Sequence, residues 1–456
     1  MLGAGPLPKS GKIANAGGLR TAQFLDEILA NKSPKKIEMW TIENLENRSK
    51  KTKNQIGELR QNRGESGEVR HFSIDKNDEK LFSKIAAAMK RFSPEIVFGI
   101  NSFPAFVAAK TVDQKTPFWA DLNGWQMAEL HIQAVASGKN NFLAAGFSRE
   151  KEILKRADFL SVVSKSQKMA TLGEMAAIGL LTAKNPNPEI EIIKNACRPL
   201  NSREKEIFFQ KEKNHFFRGK TFPKNAFALL WIGGMNAWAD EKTLFDALEM
   251  AFSKNKNLHF LMTGGILPGI DDAQFFHFQK KAKKSAFRNH FHFLGWIAAE
   301  KMPFLLAECD AGVNVDRKCP ETETGARNRI NEFLRFGIPI ISTAGAEIVD
   351  EIAEKNAGIK TKSGDAKSLA AAFLQIADDK KCFEKMSEKA RKMAENHFSI
   401  EKTTAPIKNF LQNPRRIEKI IATQNLFSAG ILYLKTRGIK SFFKKCRQKF
   451  SEKTGF

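Results

Sequence analysis

Between Glu321 and Thr343 the chain reads ETETGARNRINEFLRFGIPIIST. Ile330, Phe333 and Leu334 fall at i, i+3 and i+4, which predicts a buried helical stripe over Gly325 to Phe336, stopped by Gly337 and Pro339. Into the approach and first turns of that helix the chain puts Glu321, Glu323, Arg327, Arg329 and Glu332. A surface pair between Arg329 and Glu332 at i, i+3 would be worth only about 0.2–0.5 kcal/mol. Position gives these groups another use. The helix follows the strand-like AGVNV, so its N-terminus points to the carboxyl edge of a sheet, where free backbone N–H groups and the helix dipole favour phosphate. Arg327 adds a forked cation suited to phosphate, and the carboxylates can accept hydrogen bonds from sugar or ribose hydroxyls. The stretch reads as a site for a sugar carried on a diphosphate.

The elements that must position this site follow a regular rhythm. In the first half, strand-like runs occur at Ile37–Ile42, Val69–Ile74, Ile96–Ile100, Phe118–Leu122, Phe159–Ser164 and Ile190–Lys194, with amphipathic helical stretches between them. Residues 201–224 break the rhythm with charge and no strand. It restarts at Phe227–Ile232, closed by Gly233 and Gly234, and continues through Leu258–Met262, His290–Leu294, AGVNV, IPIIST and AGIKT. This β-α-β alternation predicts an α/β protein of two tandem Rossmann-like, doubly wound domains. The expected division is a first domain over 1–200, a linker over 201–224, a second domain over 225–412 and a basic amphipathic helical tail over 413–456. A cleft between the domains would place the carboxyl ends of both sheets opposite each other, where such sheets bind ligands.

With that order in view, the chain resembles the retaining GT-B glycosyltransferases of the family-4-like, group 1 kind. Their signature is a loop glutamate, a second glutamate in the following helix and a Gly-x-Pro. Glu332, Gly337 and Pro339 match the last three, and Thr324 occupies the strict position of the first. Glu321, Thr322, Arg327 and Arg329 are similar to a variant with an ET loop and an Arg-x-Arg helix start. WIGGMNAWADEKTLFDALE resembles the first strand and glycine loop of the donor domain, FLGWIAAEKMPFLLAECDAGVNV its base-binding segment, GGLRTAQFLDEIL the glycine-rich turn facing the donor phosphate, and WADLNGWQMAE the acceptor-side loop. The resemblance spans about residues 3–412. It implies transfer from a nucleotide sugar to a glycan or lipid-linked acceptor, with retention, without metal or other cofactor, in cell-envelope polysaccharide synthesis.

Site roles follow from the same resemblance. Glu321 or Glu323 would orient the donor sugar, Arg327 would stabilise the leaving diphosphate, and Asp121 would meet the acceptor. Gly17, Gly18 and Arg20 would face the donor phosphate, Gly233 and Gly234 would let backbone approach it, and Glu332 would hold ribose hydroxyls. Gly295, Trp296 and Ile297 would line the base. The family commonly carries an Arg and a Lys shortly after the glycine loop. Here only Lys242 lies nearby, and Arg327, Arg329 or Arg20 stand as substitutes.

Composition bounds the rest. The 456 residues are 42% hydrophobic and 27% charged, ordinary for a globular protein and unlike a disordered or membrane-embedded chain. No window reaches the roughly 18 unbroken apolar residues of a membrane-spanning helix, and MLGAGPLPKSGK lacks the order of a secretory signal. A cytoplasmic protein is expected, peripheral at the inner face of the membrane. Five scattered cysteines argue against a disulfide framework or a zinc site, and no DxD occurs. GPLPKSGK fails as a P-loop because Ile13 stands where Ser or Thr must hold magnesium. The net charge of +24 favours anionic partners. In 415–456 basic residues alternate with Leu, Ile and Phe, a pattern for an anionic membrane surface or for a helix packed back on the first domain. Two rival readings remain at the level of sequence. One is a nucleic-acid-binding protein, although no recognition helix or zinc module is seen and no nucleic acid partner is expected. The other is a GT-B protein that binds a nucleotide sugar without transferring it.

Overall fold

The computed structural model describes residues 1–8, 15–31, 36–44, 57–62, 68–210, 215–265 and 273–419, and in the tail 436, 438, 439, 441, 443 and 444. By internal contacts the chain forms a large unit, Met1–Thr171 with Glu189–Ile417, and a small one, Leu172–Pro188 with Glu418–Phe456. Everything below concerns the large unit.

Two sheets organise it. The first has eight strands: β1 (Leu2–Ala4), β2 (Lys36–Glu43), β3 (Gly57–Asn62), β4 (Glu68–Asp75), β5 (Val97–Ile100), β6 (Phe118–Asp121), β7 (Phe159–Val162) and β8 (Ile190–Ile192). Their spatial order is β3-β4-β2-β1-β5-β6-β7-β8, parallel throughout except for β3, which pairs antiparallel with β4 at the edge. The second sheet holds β9 (Phe227–Gly234), β10 (Leu258–Gly265), β11 (Phe291–Gly295), β12 (Ala311–Asn314), β13 (Ile340–Thr343) and β14 (Gly358–Thr361). It runs β11-β10-β9-β12-β13-β14, all parallel. In both sheets the chain winds outward in two directions from its first strand, which opens a crevice beyond the carboxyl ends of β1 and β5, and of β9 and β12. β5, β6, β7 and β12 are buried along their full lengths, as strands covered by helices on both faces must be.

The doubly wound architecture agrees with the sequence expectation, with two strands added. The three-residue β1 is too short to show a period, and β3 lies between segments outside the described residues. The helix expected over Gly325 to Phe336 is shorter and preceded by a break. Pro320–Thr324 forms one helical turn, Gly325 is extended, and Arg327 caps a helix over Asn328–Arg335. At the break the Arg327 side chain is drawn into buried ion pairs. Ile330, Phe333 and Leu334 are fully buried as predicted. Gly312 in β12 makes room for them, since a Cβ there would come 2.2 Å from the Phe333 ring.

The helix Ala405–Gln412, at the end of the stretch 225–412 expected as the second domain, places Ile407, Phe410 and Leu411 in the core of the first sheet, with Phe24, Phe98, Trp119 and Phe159. The Phe410 ring lies 5.2 Å from Trp119 and 4.7 Å from Phe159. Arg415, Arg416 and Ile417 continue along this domain: Arg415 bonds Glu189 at 2.5 Å, while Arg416 and Ile417 both bond Asp158. Most of the expected basic tail beyond them, 420–435 and 445–456 included, lies outside the described residues.

Candidate functional site

A cleft of about 2570 Å³ lies at the carboxyl ends of the two sheets. Small-molecule sites commonly measure about 300–1,000 Å³, so this one has room for more than one ligand. Its walls include the N-terminal ends of four helices, at Gly17, Ser102, Gln126 and Asn328. Backbone N–H groups and helix dipoles thus give the cleft a positive potential from several sides.

On the second-domain wall, β9 ends in Gly233 and Gly234, both lining the cleft. Gly233 has φ 87°, and a Cβ there would meet nothing within 4 Å, so the backbone itself faces open space. Arg329 reaches back from the helix Asn328–Arg335 to this point. Its Nη2 donates to the Gly234 carbonyl at 3.0 Å and its guanidinium lies 3.8 Å from the Trp231 ring centroid. Its Nη1 is buried and has no hydrogen-bond partner among the described residues. Burial lowers its pKa to about 10, against the pull of Asp316, and the group stays charged at neutral pH. Asn236 and Trp238, just after the glycines, also line the wall. This is a cation held on an aromatic ring with one donor unused, beside a glycine loop and a helix N-terminus.

Arg327 is placed differently. Its Nη1 and Nη2 clamp Glu321 at 3.0 and 2.8 Å, and its Nε donates to Asp316 at 2.6 Å. All three residues are buried. Burial opposes the charge on Arg327, but Asp316 and Glu321 outweigh it and push its pKa up. Glu321 has its pKa raised, chiefly by burial and against the attraction of Arg327. Arg327 and Glu321 both edge the cleft, yet their charges are spent on each other. Glu323, the other candidate for the donor sugar, is exposed and does not line the cleft. Thr324, at the strict signature position, bonds Pro320 through its hydroxyl and accepts from Ser164 of the first domain at 2.8 Å through its carbonyl. Glu332 does line the cleft, with Oε2 accepting from Arg335 at 2.9 Å. Arg335 in turn bonds Glu204 and the Arg198 carbonyl, and Asn331 bonds the Asn195 carbonyl. Much of the polarity on this helix therefore ties it to the chain that joins the two sheets.

Arg20 and Asp121 prove to be partners of one another. Asp121 accepts from Arg20 Nη2 at 2.7 Å and from Nε at 3.0 Å, with both side chains fully buried, and Ser161 adds a bond at 2.7 Å. Neither lines the cleft, which corrects the roles expected for them. The helix after β1 needs a rigid attachment to β6, and a bidentate pair supplies it. Gly17 lines the cleft, whereas Gly18 is packed away: a Cβ would stand 1.9 Å from the Pro6 carbonyl oxygen, and its N–H donates to the cap Asn15. Lys242 is also misplaced by the sequence reading, because it is exposed, pairs with Asp246 at 2.6 Å and does not line the cleft. Of the expected base segment, Trp296 and Ile297 line the cleft, while Gly295 supplies a φ of 62° at the end of β11.

Sequence reasoning misses Asn101, Asn236 and Glu129, which all line the cleft. Asn101 follows β5 at φ 72°, bonds the Gly17 carbonyl at 3.1 Å and accepts from Asn123 at 2.6 Å. Glu129 carried a legible signal. On the helix Gln126–Ser137 it aligns with Gln126 and Gln133 in a polar stripe, while Ala128, Ile132 and Ala134 are buried.

Residues 212–393 match the family model described as glycosyl transferases group 1. No curated protein matches the chain. Among solved structures, the chain is similar to Anabaena HepE in complex with UDP and glucose, at 14% identity and TM-score 0.60, covering 89% of this chain and 98% of that one. It is similar to sucrose-phosphate synthase from Thermosynechococcus elongatus at 14% identity and TM-score 0.61, covering 91% and 94%. An Escherichia coli trehalose-6-phosphate protein bound with UDP-2-fluoro glucose gives 12% identity and TM-score 0.63, covering 90% and 99%. Likeness at these identities concerns the fold, which is GT-B.

Proposed function

We propose, from the premise that residues 212–393 form a group 1 glycosyl transferase domain on a GT-B fold, that this protein transfers a sugar from a nucleotide sugar to an acceptor hydroxyl. One observation carries the reading: the Arg329 guanidinium, stacked on Trp231 and bonded to Gly234, keeps Nη1 unpaired at the rim of the glycine loop. A buried donor left unused costs stability, and a diphosphate would satisfy it. The cation supplied by Arg329 comes from a different element than the glycine loop, which accounts for the absence of a basic pair after Gly234.

In this scheme Arg329 and the helix N-terminus beside it hold the diphosphate and stabilise the charge that grows on it as the glycosidic bond breaks. Glu332 receives the ribose hydroxyls and Trp296 with Ile297 covers the base. The proposed reaction proceeds with retention and without a metal, as the resemblance implies. UDP in the HepE complex supports a nucleotide donor. The proposed acceptor is a glycan or lipid-linked glycan of the cell envelope, brought to the protein at a membrane surface by the basic tail.

The test is thermal stabilisation by UDP-, GDP-, dTDP- and ADP-sugars. One nucleotide class is expected to raise Tm, and Arg329→Ala is expected to weaken its binding by about tenfold or more, a loss of roughly 1.4 kcal/mol or greater. Arg329→Lys should restore only part, because a lysine lacks the fork and the stacking plane. Equal affinity in wild type and Arg329→Ala would remove the basis of the assignment.

A further inference from the structure

The first-domain wall of the cleft carries a carboxyl group that the donor scheme leaves unused. Glu129 sits midway along the polar stripe of the helix Gln126–Ser137, half-buried, and lines the cleft with Gln126 and Gln133. Other acids on the walls are engaged: Glu321 with Arg327, Glu332 and Glu204 with Arg335, Asp26 with Arg198, and Glu27 with Thr404. Glu401 is exposed at the rim. The Glu129 carboxylate has no hydrogen bond or ion pair to any described residue, and its charged neighbours are Glu321 and Arg327. The other helix packed against it, Leu143–Arg156, meets it through Gly146 on Leu130 and Met127, an apolar contact.

We propose that Glu129 holds the attacking hydroxyl of a polyhydroxylated acceptor and takes up its proton, with Gln126 and Gln133 bonding neighbouring hydroxyls. The assignment rests on the transferase reading above. In the step, the acceptor O–H bond breaks and its proton passes to the Glu129 carboxylate. The freed oxygen bonds to the anomeric carbon, and the bond from that carbon to the diphosphate oxygen breaks, its electron pair leaving with the diphosphate. No further reactant is needed; for retention, as proposed above, the hydroxyl attacks from the face that the diphosphate leaves. Burial, reinforced by the negative charge of Glu321 and only partly offset by Arg327, raises the Glu129 pKa to about 7. A base so poised is matched to the pH at which it works.

Water can stand in for the unidentified acceptor. UDP-glucose, GDP-mannose, dTDP-glucose and ADP-glucose are incubated with wild type and Glu129→Gln without acceptor, and both binding and hydrolysis are followed from pH 5.5 to about 8.5, a range that spans the base's titration. The donor that binds should be hydrolysed by wild type at a rate rising with pH to a plateau. In Glu129→Gln that rise should vanish and the plateau fall about 100-fold or more, with donor Kd unchanged, and Glu129→Asp should recover part of the pH-dependent limb. Equal hydrolysis and equal pH profiles in wild type and Glu129→Gln, at whatever rate, overturn the assignment. Failure of wild type to bind any of the four overturns the transferase reading, and the assignment with it.

Discussion

Among individual residues, the deciding contrast lies between Arg327 and Arg329, two positions apart and alike in sequence. Arg327 is enclosed by Asp316 and Glu321 with every charge matched, whereas Arg329 has a ring beneath it and an unpaired donor. The first is therefore a structural cation, and the second is the one proposed to bind the diphosphate. Removing one member of a buried charge cluster leaves its partners uncompensated, which costs about 3–5 kcal/mol. Arg327→Met should lose that much in urea unfolding at pH 7. Its loss should also shrink as pH falls. Glu321 already has a raised pKa in the folded protein, and without Arg327 the shift grows, so the native state binds the proton first. Stability then rises as pH drops from 7 towards the ordinary carboxylate range. A variant equally destabilised at pH 7 and pH 5 would show that packing, not charge, is what Arg327 provides. The sequence shows which residue types gather here but not how they pair. Arg20 and Asp121 are 101 positions apart, and nothing in either local stretch marks them as partners rather than ligands.

Elements were legible where a period of 3.6 or 2 runs long enough to show, and this covers most helices and every strand of the second sheet. What stayed hidden depends on contacts between elements. The helix Ala405–Gln412 carries an ordinary apolar stripe, and the stripe does not say which sheet it covers. Its place in the first core is set by Phe24, Phe98, Trp119 and Phe159. Phe410→Ala should accordingly cost about 3–5 kcal/mol, read as loss of hydrogen-exchange protection in β5, β6 and β7 before β9 and β12. Earlier loss in the second sheet would contradict the packing. Three histidines from β10, the turn before β11 and β11 itself also meet. His259 bonds His292 at 2.9 Å and stacks on His290 at 4.6 Å. Burial, with the neighbouring imidazoles adding to it, lowers the pKa of His259 to about 4, and His292 is lowered to about 4 by burial and His290. An unfolded histidine titrates near 6.5, so between 6.5 and 4 the unfolded chain binds more protons. The contribution of this pair is full above pH 6.5 and is lost as pH falls towards 4. His259→Asn with His292→Asn should flatten the fall in Tm between pH 6.5 and 5 relative to wild type. An unchanged slope would assign the acid sensitivity to other groups.

For the whole molecule, the chain does not simply end after the second sheet but returns to the first, through Phe410 and then Arg415, Arg416 and Ile417. Both domains thus share one closing segment, and the connection from β8 bonds the helix Asn328–Arg335 through Asn195 and Arg198. Ser164 to Thr324 and Lys194 to Glu351 add contacts between the two halves. This return determines where the tail can be cut. A protein ending at Ile417 keeps Phe410 and the bonds to Asp158 and Glu189, so it should match the full chain in nucleotide-sugar affinity. One ending at Thr404 loses the core aromatic and should fall in stability by the same 3–5 kcal/mol or more as Phe410→Ala. The cut at Ile417 also removes the basic segment. If residues 418–456 serve to reach an anionic surface, the full chain should bind vesicles containing phosphatidylserine, more weakly as salt rises, and the shortened protein should not. Equal binding by both would place the attraction on the body of the protein, whose sequence spreads lysine along its whole length, and would leave the tail without a membrane role.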